Sequence, residues 1–215
     1  MLKFLTGSSA TRLAQAIERD DADALAKLLR KAPATLLTQP VDKGRLATEL
    51  AIDIQRPRLL TLLLDAGADA NATDPQGQPL SWRTLATHGQ AGKSLELLGA
   101  LLRAGADPNR RNSEDTPLLH ACFTHCAPAR LMLHLSRLLE SGARIDCLDA
   151  SGQSILQLAL LSDRLELIQF LIHSGAALPD TQADSTFTTH VSEDTLRYAR
   201  RCQQDYAIRQ QFLGA

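Results

Sequence analysis

Four potential metal ligands fall within one short segment, His120-Ala121-Cys122-Phe123-Thr124-His125-Cys126. Imidazole nitrogen and thiolate sulfur are the donors that zinc takes most readily. On a helix, Cys122 and Cys126 share a face, with His125 beside them. A second segment, Thr87-His88-Gly89-Gln90-Ala91-Gly92-Lys93-Ser94, ends like a phosphate-binding loop. In such a loop, backbone N–H groups and a lysine cradle a nucleotide's phosphates. No G-x-S-x-G, no H-E-x-x-H and no Cys/His pair with an evident orienting third group occurs in the chain, so no catalytic residue is expected.

Both segments must be weighed against the elements that carry them. Gly67-Ala68-Asp69, Gly105-Ala106-Asp107, Gly142-Ala143-Arg144 and Gly175-Ala176-Ala177 recur at intervals of about 33 to 38 residues. Each follows an apolar pair: Leu63-Leu64, Leu101-Leu102, Leu138-Leu139 and Leu171-Ile172. Leu28-Leu29 before Ala32 repeats the pattern without the glycine. An apolar helix end followed by glycine is a helix stop, because glycine accepts the left-handed backbone of a C-cap. Ala16, Ala51 and Ala159 keep a constant distance to the next stop, while Thr84 and Ala121 lie roughly five residues further from theirs. The two central units therefore carry insertions between their helices, near 88–94 and 125–131. Asp74-Pro75-Gln76-Gly77 and Asp149-Ala150-Ser151-Gly152 read as turns, with the aspartate bonding its own backbone. The turn around Ser113-Glu114-Asp115 reads one residue short.

These residues resemble the ankyrin repeat, two helices and a β-turn in about 33 residues, opening T-P-L-H-x-A. Thr116-Pro117-Leu118-Leu119-His120-Ala121 is the nearest match, and GADAN (67–71) and GADPN (105–109) match the turn phrase. At the family's helix-opening histidine stand Glu49, Trp82, Leu119 and Gln157. The resemblance implies an all-α ankyrin-repeat solenoid of paired antiparallel helices joined by β-turn hairpin loops. The repeats are expected over 1–180, in units of approximately 8–40, 41–73, 74–111, 112–148 and 149–180. A linker and a capping helix follow over 181–215. Ser192 caps that helix at about 193–212, and Arg197, Arg200, Arg201 and Asp205 give it the polar outer face that the end of a stack needs.

In this register the two chemical candidates have plain structural readings. Cys122 falls where the repeat packs a small buried side chain, and a free cysteine serves there as a small hydrophobe. The phosphate-like loop lacks its first glycine, which is Thr87 here, and follows a helix rather than a strand. It reads as an inserted loop with Ser94 capping the next helix. No metal and no cofactor is expected. A nucleotide-dependent switch on 87–94 is the lowest of the alternatives.

The family implies that protein partners bind the groove lined by turn tips and inner helices, whose turn residues carry no packing duty. The second unit presents Asp42, Lys43, Arg45, Asp53 and Ile54 there. The third presents Gln76, Gln78, Thr87 and His88, and the fourth Asn112, Ser113, Phe123, Thr124 and His125. The fifth presents Ser151, Gln153, Leu161 and Ser162. Ile54, Phe123 and Leu161 are apolar among polar neighbours, the pattern of a binding centre with a wet rim. Trp82, on an inner helix, is expected to be packed.

Composition narrows the function classes. Hydrophobic residues make up 44% of the chain and aromatics 4%, a balance that suits a packed helical core. The formal net charge of −1 argues against nucleic acid or an anionic membrane as the partner, since both select basic surfaces. Four cysteines are too few for a disulfide scaffold. No apolar run spans a bilayer, and Met1 to Gly7 lacks the stretch of a signal peptide. The expectation is a cytoplasmic chain, monomeric on its own, that binds a protein as adaptor, regulator or immunity-type inhibitor. The Ala-, Leu-, Arg- and Gln-rich composition suits a bacterial source, and an effector delivered to host proteins is the alternative.

Overall fold

The structure, a computed structural model, describes residues 8–31, 34–85, 91–179 and 190–213. Thr87, His88 and most of the phosphate-like loop lie outside the described residues. The chain forms two compact units, Met1–Gly142 and Ala143–Ala215.

The first unit holds four helix pairs: α1 (Ser9–Glu18) with α2 (Ala22–Leu29), α3 (Ala47–Asp53) with α4 (Pro57–Asp65), α5 (Leu80–Leu85) with α6 (Ala91–Arg103), and α7 (Leu118–His125) with α8 (Pro128–Glu140). A 3₁₀ turn, Ala34–Leu37, follows the first pair. The helices start where local chemistry allows it. Ser8 and Asp21 accept N–H bonds from Thr11 and Ala24, and Pro57 and Pro128 open α4 and α8, where a missing N–H costs nothing. They stop as the glycines predict. The Ala68 N–H donates to Leu63 O and the Gly67 N–H to Leu64 O, the paired bonds of a C-cap in which Gly67 stands at φ 98°. Gly105, Gly142 and Gly175 take the same backbone. Inner helices end alike on Asp20, Gln55 and Asp163, all with positive φ.

Turns join the pairs. Asp74 Oδ1 accepts the N–H groups of Gln76 and Gln78, and Asn112 Oδ1 those of Glu114 and Thr116. The turn at 112–115 is complete, contrary to the sequence expectation: Asp115 holds the position of Gly77, at φ 56°. Aspartate tolerates that region better than most residues, so the turn keeps its length without glycine. The GADAN and GADPN phrases stitch neighbouring turns together. The Asn71 amide donates to Gly105 O at 3.1 Å and accepts from the Asp107 N–H at 2.8 Å, while the Asn109 amide donates to Gly142 O at 3.0 Å.

Among the described residues, the added chain of the central units lies largely in the outer helices. α6 and α8 each run 13 residues against 8 and 9 for α2 and α4, so most of the added chain becomes about one further turn of outer helix. Ser94 accordingly sits inside α6, buried, and caps nothing. Its hydroxyl donates to Thr84 O at 2.8 Å and lies 3.0 Å from His134 Nε2. The core is a continuous apolar seam including Leu13, Ile17, Leu25, Leu50, Leu59, Leu63, Leu80, Leu97 and Leu101.

The second unit repeats the scheme in α9 (Ile155–Leu161) and α10 (Leu165–His173), then adds α11 (Glu193–Leu213). Asp149 Oδ1 accepts the N–H groups of Ser151 and Gln153, and Ser154 with Gln157 forms a capping box. α11 starts under Ser192, which accepts from the Thr195 N–H at 3.1 Å, and packs on α10. It buries Leu196, Ala199 and Cys202 and leaves Arg197, Arg200, Arg201 and Asp205 exposed. Among the described residues no helix is long and apolar enough to cross a membrane.

Candidate functional site

A cleft of ≈ 760 Å³ opens on the turn and inner-helix side of the first unit. Its lining comes from three successive repeats. Ile52, Asp53 and Gln55 belong to the end of α3; Asp74, Gln78, Trp82 and Arg83 to the next turn and α5; Asn112, Glu114 and His125 to the following turn and the end of α7. The volume lies within the range of small-ligand and side-chain pockets.

One wall is an ion-pair chain. The Arg83 guanidinium grips Asp53 in a fork, Nε to Oδ1 at 2.7 Å and Nη2 to Oδ2 at 3.0 Å. Its third nitrogen reaches Asp74 Oδ2 at 3.2 Å. Arg45 Nη1 donates to Asp53 Oδ2 at 3.2 Å and pairs with Asp42 through its other nitrogen. Bonds to Asp53 first, and the surrounding carboxylates, raise the pKa of Arg83; bonds to Asp42 first raise that of Arg45. The fork fixes both partners, because a planar guanidinium and a carboxylate match in only a few orientations. Asp42, Asp53, Asp74 and Glu49 face two arginines, so the wall carries an excess of acid.

Glu49 lies beneath this wall, 1% exposed. Its Oε1 accepts the Leu46 N–H at 2.9 Å, which makes it the cap of α3, while Oε2 has no hydrogen bond and stands 3.8 Å from Arg83 Nη1. Burial pushes its carboxyl above the ordinary range, against the pull of the Leu46 N–H and of Arg83. Gln157 does the same capping work in the second unit without a charge, accepting the Ser154 N–H at 2.7 Å.

The opposite wall is aromatic. Trp82 meets His125 edge to face, with ring centroids 6.1 Å apart. The indole N–H of Trp82 and the Oε1 of Gln78 are both buried without hydrogen-bond partners. One orphaned donor and one orphaned acceptor therefore border the same cleft.

Of the residues expected from sequence, the cleft brings together Asp53, Gln78, Asn112 and His125. Asp42, Lys43 and Arg45 form the preceding turn, in which Lys43 and Gly44 both take positive φ. Gln76, Ser113 and Thr124 are exposed, Phe123 is half-buried on α7, and Ile54 packs against the core. Ser151, Gln153, Leu161 and Ser162 lie in the second unit, Leu161 38% exposed. Sequence reasoning did not place Ile52, Gln55, Asp74, Trp82, Arg83 or Glu114 in the site; it read Asp74 as a turn residue and Trp82 as packed. Arg83 had a signal: it holds the repeat position of Leu50 and Leu158, where an apolar side chain is the norm. Cys122 is fully buried and His120 nearly so. Among the described residues, no group of three or more His, Cys, Asp or Glu side chains is arranged to hold a metal ion.

Paired helices, glycine C-caps and Asx-stabilised hairpin turns define a helical repeat protein with a side-chain-lined groove. Residues 85–182 match the family described as ankyrin repeats, in three copies. Residues 85–182 thus carry ankyrin repeats. The chain is similar to neurogenic locus notch homolog protein 2 of Homo sapiens and of Mus musculus, at 30% identity over 145 residues in each case. That stretch is 66% of this chain and 6% of each relative. The chain thus spans a small fraction of the length of the curated relatives it matches.

Proposed function

We propose that this chain binds a protein partner through the Asp53–Arg83–Trp82–His125 cleft, acting as an adaptor, regulator or inhibitor rather than as a catalyst. The observation that carries this reading is the cleft's construction from the turns and inner helices of three consecutive repeats. Ankyrin repeats are generally protein-interaction modules. Arg83 is pinned by three carboxylates, so its shape is set before a partner arrives, which limits the entropy lost on binding. The acidic excess favours a segment carrying lysine or arginine.

The test is co-purification from the native organism, comparing the wild type with a Gln78→Arg, Asn112→Arg double variant whose fold is checked by circular dichroism. A protein retained by the wild type and lost from the folded variant supports the cleft. Equal retention by both moves the interface elsewhere.

A further inference from the structure

Three polar contacts run in series across the third and fourth helix pairs. The Ser94 hydroxyl of α6 donates to Thr84 O of α5 at 2.8 Å. Ser94 Oγ also lies 3.0 Å from Nε2 of His134 on α8. The other ring nitrogen, Nδ1, lies 2.9 Å from Arg130 O, one turn back on the same helix. Thr84, Ser94 and His134 are all buried, so the side chains must satisfy one another.

The protons of the series can be counted. Both ends are carbonyls, and a carbonyl only accepts. Nδ1 must therefore carry a proton to meet Arg130 O, and the single Ser94 hydroxyl proton goes to Thr84 O. The central contact then needs its proton on Nε2. Three contacts require three protons, whereas a serine and a neutral imidazole supply two. The imidazolium supplies the third. With a neutral ring, the hydroxyl proton serves either Thr84 O or Nε2, and the remaining contact sets lone pair against lone pair.

We propose that His134 is a proton-operated clasp between the third and fourth helix pairs: protonated, it closes the series from α8 through α6 to α5, and neutral, it leaves the series one bond short. The two pairs it joins also carry the aromatic wall of the cleft, Trp82 on α5 and His125 at the end of α7. The groups that act on the ring come from two elements. Cys126, after α7, favours the charge, and the Arg130 side chain, on α8 itself, opposes it. From α6 the ring meets Ser94 and, through it, Thr84 of α5, neither of which ionises. Burial works against the cation, but Cys126 and the Arg130 carbonyl outweigh it, and the ring's pKa stands above its ordinary value. Protonation therefore favours the fold. The stability tied to this ring is fully present below the unfolded value near 6.5 and is lost as pH rises through the folded one.

The test uses the full chain with isotope-labelled histidine. Nuclear magnetic resonance follows the His134 ring against pH, its signals assigned by their absence from His134→Gln or, should that variant not fold, through the backbone. The expected midpoint lies above 6.5, with both ring nitrogens protonated below it. Ser94→Ala removes the acceptor and should move the midpoint down. In urea denaturation the wild type should lead His134→Gln by more near pH 5.5 than near pH 8.5. A wild-type midpoint at or below 6.5 overturns the proposal whether or not the variants fold, because the ring is then a buried neutral imidazole that accepts from Ser94. So does an unchanged midpoint in folded Ser94→Ala, or a lead over His134→Gln that holds or widens as pH rises.

Discussion

The turn phrases of the two units share a backbone and differ in what they do with it. In the first unit, GADAN and GADPN end in asparagine, and Asn71 and Asn109 carry an N–H₂ to the carbonyls of Gly105 and Gly142. In the second, the matching phrase is GARID, and the same place is held by Asp146. A carboxylate cannot donate to a carbonyl, and Asp146 is engaged by Arg144 at 3.3 Å. The inner helices show the same contrast. Glu49 caps α3 with a buried charge beside Arg83, and Gln157 caps α9 with a neutral amide. Backbone form is common to the repeats; charge and stitching are concentrated where the cleft is.

Five substitutions, at three kinds of site, sharpen or break this comparison. The largest effect tests what the units share. Leu63→Ala and Leu171→Ala each empty a fully buried site behind a glycine stop, and each should cost about 3 kcal/mol in chemical denaturation. A loss in only one would mean that the packing scheme is not common to both. Next comes the stitch. Asn71→Asp copies the second unit and should cost about 1 kcal/mol, while Asp146→Asn should return about 0.5 kcal/mol. Equal and negligible changes at both sites would show that the bonds are incidental. The smallest effect is at Glu49. Its folded-state pKa is raised, so the stability linked to that carboxyl is fully present below its ordinary value near 4.5 and is lost as pH rises through the folded-state value. Glu49→Gln, which keeps the cap as Gln157 does, should therefore be more stable than the wild type at pH 7. The gain should vanish near pH 4. A variant destabilised at pH 7 would mean that the Arg83 contact outweighs desolvation.

Much of the architecture was legible because it is local. A glycine after an apolar pair fixes a helix stop through its own φ, and Asp74 or Asp149 closes a turn with its own side chain. What was not legible depends on partners far along the chain. An arginine at an apolar repeat position marks Arg83 as unusual but not as the hub of an ion-pair chain, since Asp53 lies one repeat earlier. His134 likewise meets Ser94 only once α6 and α8 pack together. The insertions were misplaced for a different reason. An alanine near the end of an inner helix gives the length of added chain but not its conformation, and Pro128 at a helix start together with the helix-forming run behind it settled that as helix. The short reading of the 113–115 turn failed because aspartate stood in for the expected glycine.

The chain has a single tryptophan, and it forms one wall of the cleft. Trp82 is 9% exposed, edge-on to an imidazole, with its indole N–H unbonded. Buried indole emits at shorter wavelength than indole in water, and its emission responds to whatever touches the ring or accepts its proton. The protein thus contains a built-in optical probe at its proposed binding site, and a bound peptide can be titrated by intrinsic fluorescence without attaching a label.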